Sequence, residues 1–426
     1  MILLYRVLTN ILYPFLIIYI FIRVLKKKED PKRFKEKILF NFFNVNKNKK
    51  LELLWFHASS VGELKSIIPI ITELNKKYKI FEFLITTTTL SSSFIARSEF
   101  KNFDNIKYRF FPLDVDFLME RFLRLWQPKK IFLVDSEVWP NLILKAKKYN
   151  ISIGLINARL TKKSFKKWSL FPNTAKKIFS TFDLCLCSNN ETKNFLKELD
   201  VKNIKYFGNI KLINKNLNRK FDDKNSGILA KSRFWIAAST HEEEDIFCLN
   251  THINLKKVYK DIITIIAPRH INRVKKIESL CRKLNLKTQI LNLDDNIDKK
   301  VEILIVNSFG VLHNYFFHAK SAFIGKSMIE RLKNDSGQNP IDAAYLNCKV
   351  YHGPYVSNFQ EIYEILNNIN ISKRITSHHE LSENLLIDFR KGKKEELRSA
   401  KMQSLSDDVF SKTMKNIENF LYAKTY

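Results

Sequence analysis

Glycine is scarce in this chain, with 9 in 426 residues, and proline and cysteine are hardly commoner at 10 and 5. So few glycines make their positions informative. Gly62, Gly154, Gly208, Gly310, Gly325, Gly337 and Gly353 fall in or beside apolar runs and motif loops, where close approach or a positive φ is wanted. The cysteines, Cys185, Cys187, Cys248, Cys281 and Cys348, form no CxxC pair and no even framework, which points to reduced thiols in a cytosolic compartment. Cys185 and Cys187 share one face of the run DLCLCS and read as core. An RGG-type tail, a Cys/His finger and a short-period repeat are all missing, so nothing marks a nucleic-acid module or a solenoid. The Walker loop and the dinucleotide glycine fingerprint are missing too, which leaves the class of any nucleotide open.

Acidic residues are the other shortage: 73 Lys and Arg stand against 43 Asp and Glu, a formal charge of +30. Such a surplus makes polyanions the first partners to consider, whether nucleic acid, anionic membrane or phosphorylated substrate. Lysine is spread along the whole chain and does not choose among them. What is plentiful is apolar surface. Hydrophobic residues make up 45% and phenylalanine alone numbers 34, enough to exclude global disorder. The length favours two domains of roughly 150–200 residues each.

Residues 2–25 are strongly apolar, but the part free of charge runs only from Val7 to Ile22, short for a full span. Lys26, Lys27 and Lys28 follow at once and no small-residue cleavage site does, so residues 1–28 read as an uncleaved anchor with the remaining chain in the cytoplasm. An interfacial helix is the competing reading. From about residue 50, short β-branched runs alternate with Lys-rich amphipathic segments, the pattern of parallel βαβ units. Asn214 to Ser226 interrupts the alternation and reads as a linker. The expected organisation is an anchor over 1–28, an amino-terminal Rossmann-like domain over 29–213, a linker over 214–226 and a carboxyl-terminal Rossmann-like domain over 227–426, whose last helix is free to pack back on the first. This is an α/β architecture of two doubly wound domains whose ligand-binding strand ends face a central cleft.

Polar residues gather at the carboxyl ends of the apolar runs. In HASSVGEL, Glu63 lies in the first turn of a helix, where Ser60 and Glu63 also spell a capping box. A helix start keeps a carboxylate ionised, as a general base requires, so capping and catalysis both remain open. Asp135 and Glu137 project to one side of the segment before Pro140, able to share a proton, stabilise charge or cap a helix. Arg159 and Lys211 add cations at strand ends. In AASTHEEED, Ser239 or Thr240 is the expected cap, with Glu242 and Glu243 in the first turn. Arg269 and His270 follow a buried strand directly, where charge is costly unless an anionic ligand or an ion partner meets it. FIGKS supplies a small-residue loop, and Asn339 and Asp342 a pair able to bond a ribose or base.

Taken in order, the apolar start, HASSVGE, DSEVWPN, NARLTKKS, GNIK, STHEEE, PRH, NSFG and GQNPID resemble the 3-deoxy-D-manno-octulosonic acid (Kdo) transferase family of lipopolysaccharide synthesis. The resemblance implies a glycosyltransferase B fold and an inverting transfer of Kdo from CMP-Kdo to a phosphorylated lipid A precursor (lipid IVA), with no metal and no other cofactor. It places the enzyme on the cytoplasmic side of the inner membrane, against an anionic surface, with no nucleic-acid partner. Glu63 would be the base, and Asp135 and Lys211 would stabilise the transition state. The resemblance implies that the domain over 29–213 binds the acceptor and that over 227–426 the CMP-sugar, with CMP on Pro268 and Arg269, on Phe309, Gly310 and Val311, and on Asn339, Pro340, Ile341 and Asp342. Ser60, Glu137, Arg159, Ser239, Thr240, His241, Gly325 and Ser327 are further candidates. The chain departs from the family pattern in having Asp135 for Glu, Asp342 for Glu and Lys326 for the second glycine of Gly-Gly-Ser. The other readings are a glycosyltransferase of the same fold with a different nucleotide sugar, and a non-catalytic binder of anionic lipid or nucleic acid.

Overall fold

The computed structural model describes residues 1–43, 46–213, 224–298, 300–391 and 397–423. Most of the Asn-rich stretch read as a linker, 214–223, lies outside them; Ser226 already opens a helix, Ser226–Lys231. The chain divides into two compact units, Met1–Lys215 with Ser406–Tyr426, and Asn216–Leu405. The last helix, Leu397–Tyr422, therefore gives its residues from Ser406 onward to the first unit.

In the first unit the apolar runs become β1 (Glu52–His57), β2 (Phe81–Thr87), β3 (Ile106–Phe110), β4 (Lys130–Val134), β5 (Ser152–Ala158), β6 (Leu184–Cys187) and β7 (Ile204–Tyr206). They form one parallel sheet in the order β3-β2-β1-β4-β5-β6-β7. Alternation decides what each face buries: Leu53 and Trp55 enter one core, Leu54 and Phe56 the other. Because helices cover both faces, the strands are apolar on both sides. Helices Asp116–Trp126, Pro140–Lys148 and Pro172–Phe179 pack on the first face, and Val61–Lys77 and Leu90–Phe100 on the second. The second face also takes Val409, Met414, Ile417 and Phe420 of the last helix. Gly154 permits this, since a Cβ there would lie 3.1 Å from the Phe132 ring and 3.4 Å from that of Phe420. Cys185 and Cys187 sit in the core, and burial pushes the Cys187 thiol up to about 12.

The second unit repeats the plan with β8 (Phe234–Thr240), β9 (Ile263–Pro268), β10 (Thr288–Leu291), β11 (Ile303–Val306), β12 (Ser321–Ile324), β13 (Lys349–His352) and β14 (Ser372–Arg374), ordered β10-β11-β9-β8-β12-β13-β14. The short edge strand β14 has no apolar run to announce it, because only Ser372 of its three residues is buried. In each sheet the strand order reverses beside the first strand, between β1 and β4 and between β8 and β12. At a reversal the following loops leave in opposite directions and open a crevice at the carboxyl ends.

The amino-terminal helix, Ile2–Leu25, is long and apolar enough to cross a membrane. It touches the first unit along one stripe four residues apart. Tyr5 donates to Asp114 (3.0 Å), Asn141 to Thr9 (3.4 Å), Tyr13 to the Ile38 carbonyl, and Arg6 pairs with Asp116 (3.2 Å). Leu3, Leu4, Val7, Leu8, Ile11, Phe15 and Ile18 remain exposed, a surface consistent with membrane association.

Asp114 anchors this arrangement. Its buried carboxylate takes the Tyr5 hydroxyl and the backbone N–H groups of Asn141 (3.0 Å) and Leu142 (2.8 Å), which open the helix Pro140–Lys148. Burial raises its pKa from 3.8 to about 6. The folded state thus binds the proton more tightly than the unfolded chain, so this group's contribution is full below 3.8 and is lost as pH rises through about 6. Urea unfolding of the first unit is predicted to show that decline between pH 4 and 7 and to lose it in Asp114→Asn. Asp114→Ala, which strands three donors, is predicted to destabilise that unit by about 3 kcal/mol at either end of the range.

Candidate active site

The reversal between β1 and β4 gathers the sequence candidates of the first unit. β1 ends at His57, two residues earlier than the apolar run suggests, and the helix Val61–Lys77 starts after Ser60. The capping box is real: the Ser60 Oγ accepts from Glu63 N–H at 3.3 Å, and the Glu63 carboxylate takes Ser59 N–H at 2.7 Å, Ser60 N–H at 3.4 Å and the Ser60 hydroxyl at 2.8 Å. Capping therefore fixes the very carboxylate that the alternative reading makes a base, and the two roles do not compete. The helix start is expected to keep this carboxylate ionised, but its surroundings act the other way. Burial first, then the charges on Asp135 and Glu137, push Glu63 above the ordinary carboxylate value, against the lowering by Ser60 and Ser59. A raised pKa makes it a stronger base.

Asp135 stands one residue past β4 with φ +57, a left-handed conformation in which its N–H still reaches the Ile156 carbonyl (2.9 Å) and its carbonyl accepts from Arg159 N–H (3.0 Å). Its carboxylate is buried and takes the Asn157 amide at 2.5 Å and the Lys211 ammonium in an ion pair. Asn157, also left-handed at φ +57, accepts from Ile210 N–H (3.0 Å), so it ties the Lys211 turn to β5. Gly208 (φ +111) lets that turn approach the last helix; a Cβ there would meet Val409 at 2.8 Å. Glu137 accepts from Trp139 Nε1 (2.7 Å) and contacts His57 Nε2 (3.1 Å), whose ring stacks on Phe111 at 3.8 Å. His57 and Asn157 fall outside the expected site residues because their partners Glu137 and Asp135 lie 80 and 22 residues away, whereas Trp139, two residues from Glu137, carries no charge or capping signal in the sequence. Arg159 joins the group through its backbone.

In the second unit the loops after β8, β9 and β12 meet at the other reversal. Thr240 belongs to β8, and its hydroxyl bonds Asp245 (3.1 Å) instead of capping a helix; Ser239 sits at a bulge with φ +58. The helix opens only at Glu244, so Glu242 and Glu243 lie before it and pair on the surface with Lys276 and Arg331. Glu244, overlooked in the sequence, is fully buried and accepts four backbone N–H groups: His241 (2.9 Å), Lys326 (2.7 Å), Ser327 (2.8 Å) and Met328 (3.0 Å). Burial raises its pKa against those four bonds. Gly325 is required beneath it, since a Cβ would lie 2.6 Å from the Ser239 carbonyl and 2.8 Å from Glu244. Lys326 holds φ +58, the conformation for which glycine is suited, and bridges to Asp335 at 2.9 Å.

Arg269 and His270 are exposed, so no burial cost attaches to them; the partly buried cation is Arg273, paired with Asp245 and donating to the Thr240 carbonyl (3.0 Å). Burial, followed by Lys326, His270 and Arg273, holds His241 below its ordinary pKa, against its bond to the Ser239 carbonyl. Phe309, Gly310 and Val311 form the loop after β11, with Phe309 64% exposed. His313, just beyond, lies 3.5 Å from Asp342 and so ties this loop to Asn339–Pro340–Ile341–Asp342. There the Asn339 side chain accepts from Ile341 N–H (3.0 Å) at the start of the helix Ile341–Tyr345.

The model of the family "3-Deoxy-D-manno-octulosonic-acid transferase (kdotransferase)" matches residues 32–214. A probable mitochondrial 3-deoxy-D-manno-octulosonic acid transferase of Arabidopsis thaliana is 30% identical over 328 residues, 75% of this chain and 72% of that protein. The 3-deoxy-D-manno-octulosonic acid transferase of Rickettsia bellii is 30% identical over 363 residues, 84% of each. Among solved structures, a UDP-GlcNAc 2-epimerase from Neisseria meningitidis bound to UDP-GlcNAc matches with TM-score 0.56 at 14% identity, over 87% of this chain and 99% of that one. That likeness is one of fold, the glycosyltransferase B arrangement of two Rossmann-like domains. With identity spread over most of both chains, this protein belongs to the 3-deoxy-D-manno-octulosonic acid transferase family and is a glycosyltransferase.

Proposed function

We propose that the chain transfers Kdo from CMP-Kdo to a hydroxyl of a phosphorylated lipid A precursor, lipid IVA, with inversion at the anomeric carbon. The observation that carries this reading is the cluster at the β1/β4 reversal: a carboxylate with raised pKa, Glu63, beside the Asp135–Lys211 pair. Glu63 takes the proton of the acceptor hydroxyl as its oxygen attacks the anomeric carbon. The bond from that carbon to the phosphate oxygen breaks, and CMP leaves with the electron pair. Lys211, oriented by Asp135, stabilises negative charge on the departing phosphate or the Kdo carboxylate. Glu137, Ser60 and Arg159 hold the surroundings of these groups.

CMP is read onto the second unit, on Pro268, Arg269, the Phe309–Val311 loop and the Asn339–Asp342 loop. Ser239, Thr240, His241, Gly325 and Ser327 shape the crevice beside it. Ser239, Thr240, His241, Gly325 and Ser327 end or follow the strands on either side of the β8/β12 reversal, the usual ligand position of an open α/β sheet. The acceptor is a lipid, which accords with the exposed apolar stripe of the helix Ile2–Leu25. We place the enzyme on the cytoplasmic side of the inner membrane, where the +30 charge meets anionic head groups at about 1 kcal/mol per basic residue near the surface.

The test is formation of Kdo-bearing lipid, read by mass spectrometry, from CMP-Kdo and a tetra-acylated lipid A precursor in detergent. Glu63→Gln is predicted to lower kcat by about 10²–10⁴ with the fold intact; an unchanged rate rejects Glu63 as base. The wild-type rate is predicted to fall on acidification along a limb centred above the ordinary carboxylate value of 4.5, because the base works only when deprotonated. Lys211→Met is predicted to cost about 10²–10³ in kcat. Product with another nucleotide sugar and none with CMP-Kdo would instead assign a different donor.

A further inference from the structure

A buried ion pair stands behind Glu63 and takes no part in the chemistry described so far. Glu29, just past the amino-terminal helix, is 4% exposed, and Lys37, in the short helix Lys35–Ile38, is 5% exposed. Their charges meet at 2.5 Å, and Arg23 in the last turn of the amino-terminal helix reaches the other Glu29 oxygen at 2.7 Å. The Lys37 ammonium also lies 4.8 Å from the centre of the Phe110 ring. Removing two charges from water costs about as much as their attraction returns, and an apolar pair of similar volume often holds a fold equally well. Such a pair calls for a role other than stability.

The remaining partner of Lys37 supplies one. Its ammonium donates to the Thr88 carbonyl at 2.8 Å. The Thr88 hydroxyl donates to the Ser59 carbonyl at 2.8 Å and lies 2.6 Å from the Ser59 hydroxyl. The Ser59 N–H in turn donates to the Glu63 carboxylate at 2.7 Å. Every link from Arg23 through Glu29, Lys37, Thr88 and Ser59 to Glu63 is within hydrogen-bond reach. The path starts in the last turn of the helix with the exposed apolar stripe and ends on the carboxylate at the β1/β4 crevice.

We propose that Lys37 is a positioning residue for Glu63, holding the Thr88 turn so that Ser59 fixes the carboxylate and the seat of the amino-terminal helix is tied to that of the base. The proposal rests on the reading of Glu63 as base. It is tested on the full chain in detergent, with CMP-Kdo and the tetra-acylated precursor, by comparing Lys37→Met with the double variant Glu29→Leu/Lys37→Met. The double variant replaces the ion pair by apolar groups and carries the test if the single variant, with Glu29 left unpaired, does not fold. Its thermal unfolding midpoint is expected to equal or exceed that of the wild type, while kcat falls about tenfold to a hundredfold and KM for CMP-Kdo stays unchanged. An undiminished kcat overturns the proposal, as does a lower kcat accompanied by a lowered midpoint, which makes the pair structural. Glu63→Gln is assayed alongside: full activity there rejects the base itself, whereas an inactive Glu63→Gln beside a fully active double variant rejects only the role of Lys37.

Discussion

The structure depends on one topological constraint, the reversal of strand order beside the first strand of each parallel sheet. Right-handed crossovers send the chain away from β1 to one side and later from β4 to the other, so the loops at their carboxyl ends separate. Backbone N–H and carbonyl groups at those ends lack a neighbour on the ladder and must find partners elsewhere or meet a ligand. Two carboxylates answer this demand. Ser59 and Ser60 give their N–H groups to Glu63, and Lys326, Ser327 and Met328 give theirs to Glu244.

Burial of these polar groups is costly unless each is partnered, and individual carboxylates meet the cost differently. At Asp135 side chains do so: the buried carboxylate is met by Lys211 and Asn157, with the left-handed backbone at Asp135 and Asn157 bringing them together. At Glu244 the backbone does so, four N–H groups closing on one carboxylate over a glycine that leaves no room for a Cβ.

The fold was legible because both faces of each sheet are covered, which makes every central strand a short continuous apolar run; only the three-residue edge strand β14 escaped. The candidate site was legible where chemistry and spacing coincide locally, as in the Ser60–Glu63 box and the Asp135-Ser-Glu137 segment. It was less so where a contact is long-range. His57, Asn157, Glu244, Asp245 and Arg273 each take at least one partner 22 to 84 residues away, which a local pattern does not show. The helix expected to begin beside Ser239 illustrates the limit. Capping propensity favours Ser239 or Thr240, but β8 extends through both, the Thr240 hydroxyl is taken by Asp245, and the helix begins later, at Glu244. Tertiary pairing overrode a local preference there.

The proposed reaction divides the labour, with the acceptor read by the first unit and the nucleotide by the second. Hydrogen exchange of the full chain in detergent, with CMP and separately with tetra-acylated lipid A precursor, tests it directly. CMP is predicted to slow exchange at 239–244, 268–270, 309–311, 325–328 and 339–342 and to leave 57–63, 135–137 and 208–212 unchanged, while the lipid does the reverse. Protection of 57–63 by CMP, with none in the loops of the second unit, would contradict it.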